Sequence, residues 1–136
     1  MASPNEKPST VYVVKGAIAA QSVAASATVT SGWIDVGQNK WAKILSVAGA
    51  GAGTFAVKLE QANTSGGGAA KDMITAANLG ITAQANSTNA QADGNIDANL
   101  DLDGGFRWIR VSSTCTGGAG TLQAVSLELG PAVYQA

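Results

Sequence analysis

The stretch Asn95–Thr116, NIDANLDLDGGFRWIRVSSTCT, carries the clearest structural signal in the chain. Ile96, Ala98, Leu100 and Leu102 alternate with Asp97, Asn99, Asp101 and Asp103. A period of two is the mark of a strand with one wet and one dry face. Gly104 and Gly105 then supply a two-residue turn in which both residues can take positive φ. Phe106–Thr116 returns as the second strand. A two-residue turn fixes the register. It sets Leu100 opposite Ile109 and Ala98 opposite Val111 on a core face. Phe106, Trp108 and Arg110 fall on the other face, opposite Asp103, Asp101 and Asn99.

Outward from this hairpin, strand signals dominate. Gly117–Gly120 leads into Thr121–Leu129, and a three-residue loop with a glycine bulge would set Val125 opposite Val111 and Leu127 opposite Ile109. Upstream, Lys40–Ala48 and Thr54–Ala62 flank the loop Gly49–Gly53 (GAGAG). Paired as a hairpin, they bring Val47, Leu45 and Lys43 against Phe55, Val57 and Leu59. The alternate face then holds Ser46, Ala56, Lys58 and Glu60. Thr10–Ala20, Gly32–Gly37 and Leu79–Ala85 read as further strands, Lys71–Asn78 as a single helical turn, and Asn63–Ala70 and Asn86–Gly94 as loops. The expected fold is all-β: an antiparallel β-sandwich, jelly-roll-like, with seven or eight short strands and Gly-rich turns. Residues 1–9 read as a mobile N-terminal arm, 10–130 as a single sandwich domain and 131–136 as a C-terminal tail. Lys15 interrupts the apolar block Val11–Val29, so its start reads as the first strand, Thr10–Ala20, and not as a secretion leader.

Composition narrows the function classes. The 136 residues include 8 Lys+Arg, 9 Asp+Glu and no His, for a net charge of −1. Charged residues are 12 % of the chain, about half the usual ~25 %. No basic surplus is present to neutralise phosphates, so nucleic acid is not an expected partner. Without histidine there is no imidazole base and no conventional Ser-His-Asp triad. The one cysteine, Cys115, permits no internal disulfide and reads as a small core residue. No apolar run is long enough to span a bilayer. The 17 glycines and the many alanines dilute the core, because small side chains bury little area each.

Two constellations invite a chemical reading. Asn99-Leu-Asp101-Leu-Asp103-Gly104 matches the first half of a calcium loop, but its twelfth position is Val111 and not Glu. Read as a strand, Asp93, Asp97, Asp101 and Asp103 form a solvated face rather than a converging ligand set. The expectation is no metal, no cofactor and no catalytic residue. The large side chains are the second constellation. Phe106, Trp108 and Arg110 on one predicted outer face, with Trp33 and Trp41, are the candidate protein-contact residues.

Gly105–Val111, GFRWIRV, followed by a Gly-rich turn and a final strand ending in Gly130-Pro131, resembles the closing hairpin of the jelly-roll cement (decoration) proteins of tailed-bacteriophage capsids. GWIDVG at Gly32–Gly37 and TFAVKLEQA at Thr54–Ala62, with the Gly/Ser loop and Lys71-Asp72 behind it, extend the likeness over Ala27–Pro131. Phe106–Val111 is also similar to the closing strand of discoidin-type sugar-binding domains, which are longer and often disulfide-closed. The cement resemblance implies a non-enzymatic virion protein, made in the host cytoplasm and placed on the outer capsid surface. It would bridge and stabilise major capsid protein subunits as a homo-oligomer, dimer or trimer, with no nucleic acid or membrane partner. The alternatives are a β-sandwich module binding a glycan or receptor, and a tail or head–tail joining protein.

Overall fold

Ten strands alternate between two antiparallel sheets in the computed structural model, which describes residues 13–37, 39–73, 80–85, 87–118 and 120–132. They are β1 (Val13–Val23), β2 (Thr28–Thr30), β3 (Ile34–Asp35), β4 (Asn39–Ala48), β5 (Thr54–Ala62), β6 (Lys71–Asp72), β7 (Gly80–Gln84), β8 (Asn89–Asn95), β9 (Trp108–Thr116) and β10 (Thr121–Ala132). One sheet, here sheet A, has the order β1-β10-β4-β8. In sheet B, β9 and β5 form the centre. The short strands β2 and β3 share the outer side of β9, and β6 and β7 share the outer side of β5. Taken as rows, β1, β2/β3, β4 and β5 pair in turn with β10, β9, β8 and β6/β7. The chain is one long hairpin rolled over on itself, which is the jelly-roll form of the sandwich. The all-β sandwich expected from the sequence is the fold.

The rolled hairpin explains which pairings differ from expectation. β4 and β5 flank the GAGAG loop but lie in different sheets, so that loop crosses the sandwich. The same holds for β9 and β10 across Gly117–Gly120. Val57 pairs with Ser113, not Leu45, and Val125 lies between Ile18 and Ser46, not against Val111. Periodicity specifies which face a residue takes, not which strand sits beside it. Consequently β5, β9 and β10 keep their expected inner faces: Phe55, Val57, Leu59, Ile109, Val111, Val125 and Leu127 are all buried.

The largest departure is the deciding stretch itself. Residues 96–107 are two successive turns, not a strand. The Asn95 side-chain oxygen accepts the Ala98 N–H at 3.1 Å, and the Asn99 and Leu100 N–H groups bond back to the Ile96 carbonyl. Asp101 Oδ1 then accepts the Gly104 N–H at 2.9 Å, while the Asp101 carbonyl accepts the Phe106 N–H. Asn and Asp side chains here satisfy local backbone groups that a ladder would otherwise use. Ile96 and Leu100, four apart, both turn toward the core. Asn89–Gly94, expected as a loop, belongs instead to the polar edge strand β8 (Asn89–Asn95), paired with β4. Lys71–Asp72 is β6 and Met73 is irregular, while the rest of the expected helical turn, 74–78, lies outside the described residues, as does the arm at 1–9. β10 runs to Ala132, two residues into the expected tail.

A polar chain ties the two sheets through the core. Ser113 of β9 donates to Gln123 of β10 at 2.7 Å, and Gln123 Nε2 donates to Ser46 Oγ of β4 at 3.0 Å. Ser46 Oγ donates to Gln84 Oε1 of β7 at 2.5 Å, and Gln84 Nε2 donates to the Ser46 and Thr88 carbonyls, each at 2.8 Å. All four side chains are buried. Among the described residues no buried side-chain polar atom lacks a partner. Satisfied in this way, the network avoids the penalty of burying bare amides and locks one sheet's register to the other's.

Candidate functional site

A two-layer sandwich acts through its outer faces, its edges and its loops. The outer face of sheet B is a belt of matched charges. Arg110 Nε donates to Glu60 at 2.6 Å, and Lys58 lies 2.6 Å from Asp72 and 3.8 Å from Glu60. The Asp72 carboxylate holds the Lys58 ammonium above its ordinary pKa. At the end of the sheet, Arg107 donates to Asp35 through Nε and Nη2, and Lys71 meets Asp101 at 2.6 Å. The Lys71 ammonium, with the Gly104 N–H, holds the Asp101 carboxyl below its ordinary pKa.

This belt also accounts for two of the aromatic candidates. The Arg110 guanidinium stacks 4.5 Å from the centre of the Trp33 ring. A Cβ on Gly67 would collide with Trp33 Nε1, so glycine at that position lets its loop close over the indole. Trp33 is therefore partly covered by its own chain. Phe106, expected on an exposed stripe, is buried, with the Lys71 ammonium 4.2 Å from its ring centre. Its backbone belongs to the turn before β9, so the alternation that assigned it outward does not reach it. Trp108 and Arg110 do face outward on β9, each half-buried. The predicted Phe-Trp-Arg stripe is thus reduced to Trp108 and Arg110. Trp41 lies on the other sheet.

The outer face of sheet A is different in kind. β4 turns Ala42, Ile44, Ser46 and Ala48 inward and Trp41, Lys43, Leu45 and Val47 outward. This inverts the expected placement of Leu45 and Val47. The inward set is thus the smaller one. Outside, Trp41 is 48 % exposed, Leu45 39 %, Val47 42 % and Leu122 of β10 46 %. Leu45 and Val47 form a ridge. Beside it runs a shallow, largely apolar groove of about 270 Å³, floored by Ala19, Ala20, Ala124 and Ser126. Sequence reading missed Leu45, Val47 and Leu122 as surface residues. The available signal was that β4 carries apolar side chains in both phases, so alternation alone does not assign its inner face.

The acidic residues do not share one strand face. Asp93 is on β8, while Asp97, Asp101 and Asp103 lie in the turns that follow. Among the described residues no three His, Cys, Asp or Glu side chains group as metal ligands. Cys115 is buried in the core.

No family model matches the chain, and no curated protein does. Among solved structures it is similar to a chain from the disulfide-linked pili that form Bacillus endospore appendages, at 14 % identity over 97 % of both chains, with a TM-score of 0.48. At that score the likeness carries no functional weight.

Proposed function

We propose that this protein is a structural subunit of a protein shell, acting as a capsid decoration protein. The observation that carries the reading is the outer face of sheet A. Five large apolar side chains, Val14, Trp41, Leu45, Val47 and Leu122, stand exposed there in a chain whose large side chains are scarce. Exposed apolar patches of this kind belong to surfaces that are covered on assembly. Two further features support it. The charges on sheet B pair with one another, and the net charge of −1 adds little repulsion when copies pack closely. The sequence likeness to jelly-roll cement proteins supplies the kind of shell, and the major capsid protein is then the partner.

Particles purified from an infected-host lysate and quantified by mass spectrometry test this. Copy number comparable to the shell subunit is the expected result. About a dozen copies would move the protein to a tail or head–tail joint, and absence from particles would end the virion reading. For a glycan-binding module, the free protein would bind sugar through Trp41 or the half-buried, outward-facing Trp108, because Trp33 is partly covered by Arg110 and the Gly67 loop.

A further inference from the structure

We infer that the outer face of sheet A pairs with the same face of a second copy, about a two-fold axis that runs parallel to the strands between β4 and β10. The inference rests on the same exposed face as the shell reading, but it concerns the free protein, so the state of the free chain and the composition of particles test the two separately.

The two central strands of sheet A are complementary to each other, pair by pair. On the outer face, Trp41 lies beside Gly130, Lys43 beside Glu128, Leu45 beside Ser126 and Val47 beside Ala124. One step further, the N–H of Gly49, just past the end of β4, bonds to the Leu122 carbonyl, so the large residue is now on β10 and the small one lies beyond β4. At every level one side is large and the other small, or one is cationic and the other anionic. A two-fold axis in the interface, parallel to the strands, carries each β4 residue over the β10 residue that is its own lateral neighbour. Leu45 and Val47 of one copy then enter the groove above Ser126 and Ala124 of the other, and Lys43 meets Glu128. An isologous interface needs a knob and a matching hole within one patch, and this face has both.

Area and edges favour the same occupant. Strand spacing and rise give the four-stranded face dimensions of about 20 Å by 30 Å, or on the order of 600 Å² per copy. Pairing would bury roughly 1,200 Å² in total, the lower bound for a stable specific interface. Edge-to-edge pairing is disfavoured. The β1 edge is interrupted by register shifts at Val14/Gly16 and Ile18/Gln21, and the β8 edge exposes Asp93. On the face itself Asp93 stands beside Lys43 at the β8 margin, away from the β4–β10 centre where the two copies meet.

Sedimentation equilibrium of the full chain across the micromolar range is the test. The native protein is expected to be a dimer. Ala124→Arg, an outward substitution that fills the groove, is expected to give a monomer with an unchanged circular dichroism spectrum. Lys43→Glu should weaken the dimer at least tenfold, and adding Glu128→Lys should restore it, which keeps the test informative if Ala124→Arg fails to fold. Chains carrying Leu45→Cys mixed with chains carrying Ser126→Cys should form the mixed disulfide on oxidation. A monomeric native chain would overturn the pairing and leave the face to a different protein. So would a trimer, or a dimer indifferent to both Ala124→Arg and Lys43→Glu.

Discussion

Asp101 shows how one side chain does the work of a turn and of an ion pair. Oδ1 closes the turn through the Gly104 N–H, and Oδ2 takes the Lys71 ammonium that also covers Phe106. Both contacts favour the carboxylate, so its pKa lies below the ordinary value in the folded chain. The sign of the linkage follows. Its stabilisation is complete above the unfolded aspartate range near pH ~4 and is lost as pH falls through the depressed folded value. Asp101→Asn removes the charge and cannot titrate. Urea midpoints measured from neutral pH into acid should therefore show the native chain ahead of the variant at neutral pH, with the gap closing below the ordinary carboxylate range. A gap that stays constant into acid would mean that the Lys71 pairing contributes nothing. Residues such as Asp101 also show why this region misled a reading by pattern. Its apolar neighbours at every second position satisfy a strand template, while Ile96 and Leu100 equally satisfy a turn with spacing four. Periodicity contains no term for a carboxylate that bonds the backbone three residues on, and that bond decides between the two.

Among the elements, β4 holds the sandwich together from inside and presents its contact surface outside. Inward, Ser46 joins Gln84 and Gln123, so that strands of both sheets meet at one hydroxyl. Ser46→Ala would leave the Gln84 Oε1 acceptor and the Gln123 Nε2 donor each without that partner in a dry site. At about 1–3 kcal/mol per orphaned buried group, a loss of roughly 2–6 kcal/mol is expected in chemical unfolding. Combining it with Gln123→Leu should cost less than the two single changes summed, since both break the same bond. Strict additivity would show that the network is not coupled. The element scale also separates what the sequence made legible from what it concealed. The inner faces of β5, β9 and β10 were readable because each has one apolar phase and one polar phase. β4 was not, because Leu45 and Val47 are larger than Ala42 and Ala48, and larger side chains are ordinarily the buried ones. The strongest candidate contact residues were hidden in this way inside an expected core. The partner of each strand was unreadable for a different reason: short Gly-rich connections suit both a flat hairpin and a crossing between sheets.

At the scale of the molecule, a diluted core and an uncovered face are two sides of one stability problem. Alanine, glycine and buried Ser and Gln occupy inner positions that in a heavier core would hold Leu or Ile, each contributing about 1.5–3 kcal/mol on burial. Meanwhile Trp41, Leu45, Val47 and Leu122 remain outside. If those side chains are buried only by a second copy, folding and association are linked by mass action. The apparent melting temperature of the native chain should then rise with protein concentration across the range in which the dimer forms. Ala124→Arg should abolish that dependence while leaving the melting temperature at low concentration nearly unchanged, because the position points away from the core. Asp101→Asn, remote from the face, should lower the melting temperature and keep the concentration dependence. Calorimetry of the three proteins over a series of concentrations distinguishes the cases. A native melting temperature independent of concentration would mean that the thin core suffices alone, and that the exposed face of sheet A contributes nothing to the stability of the free protein.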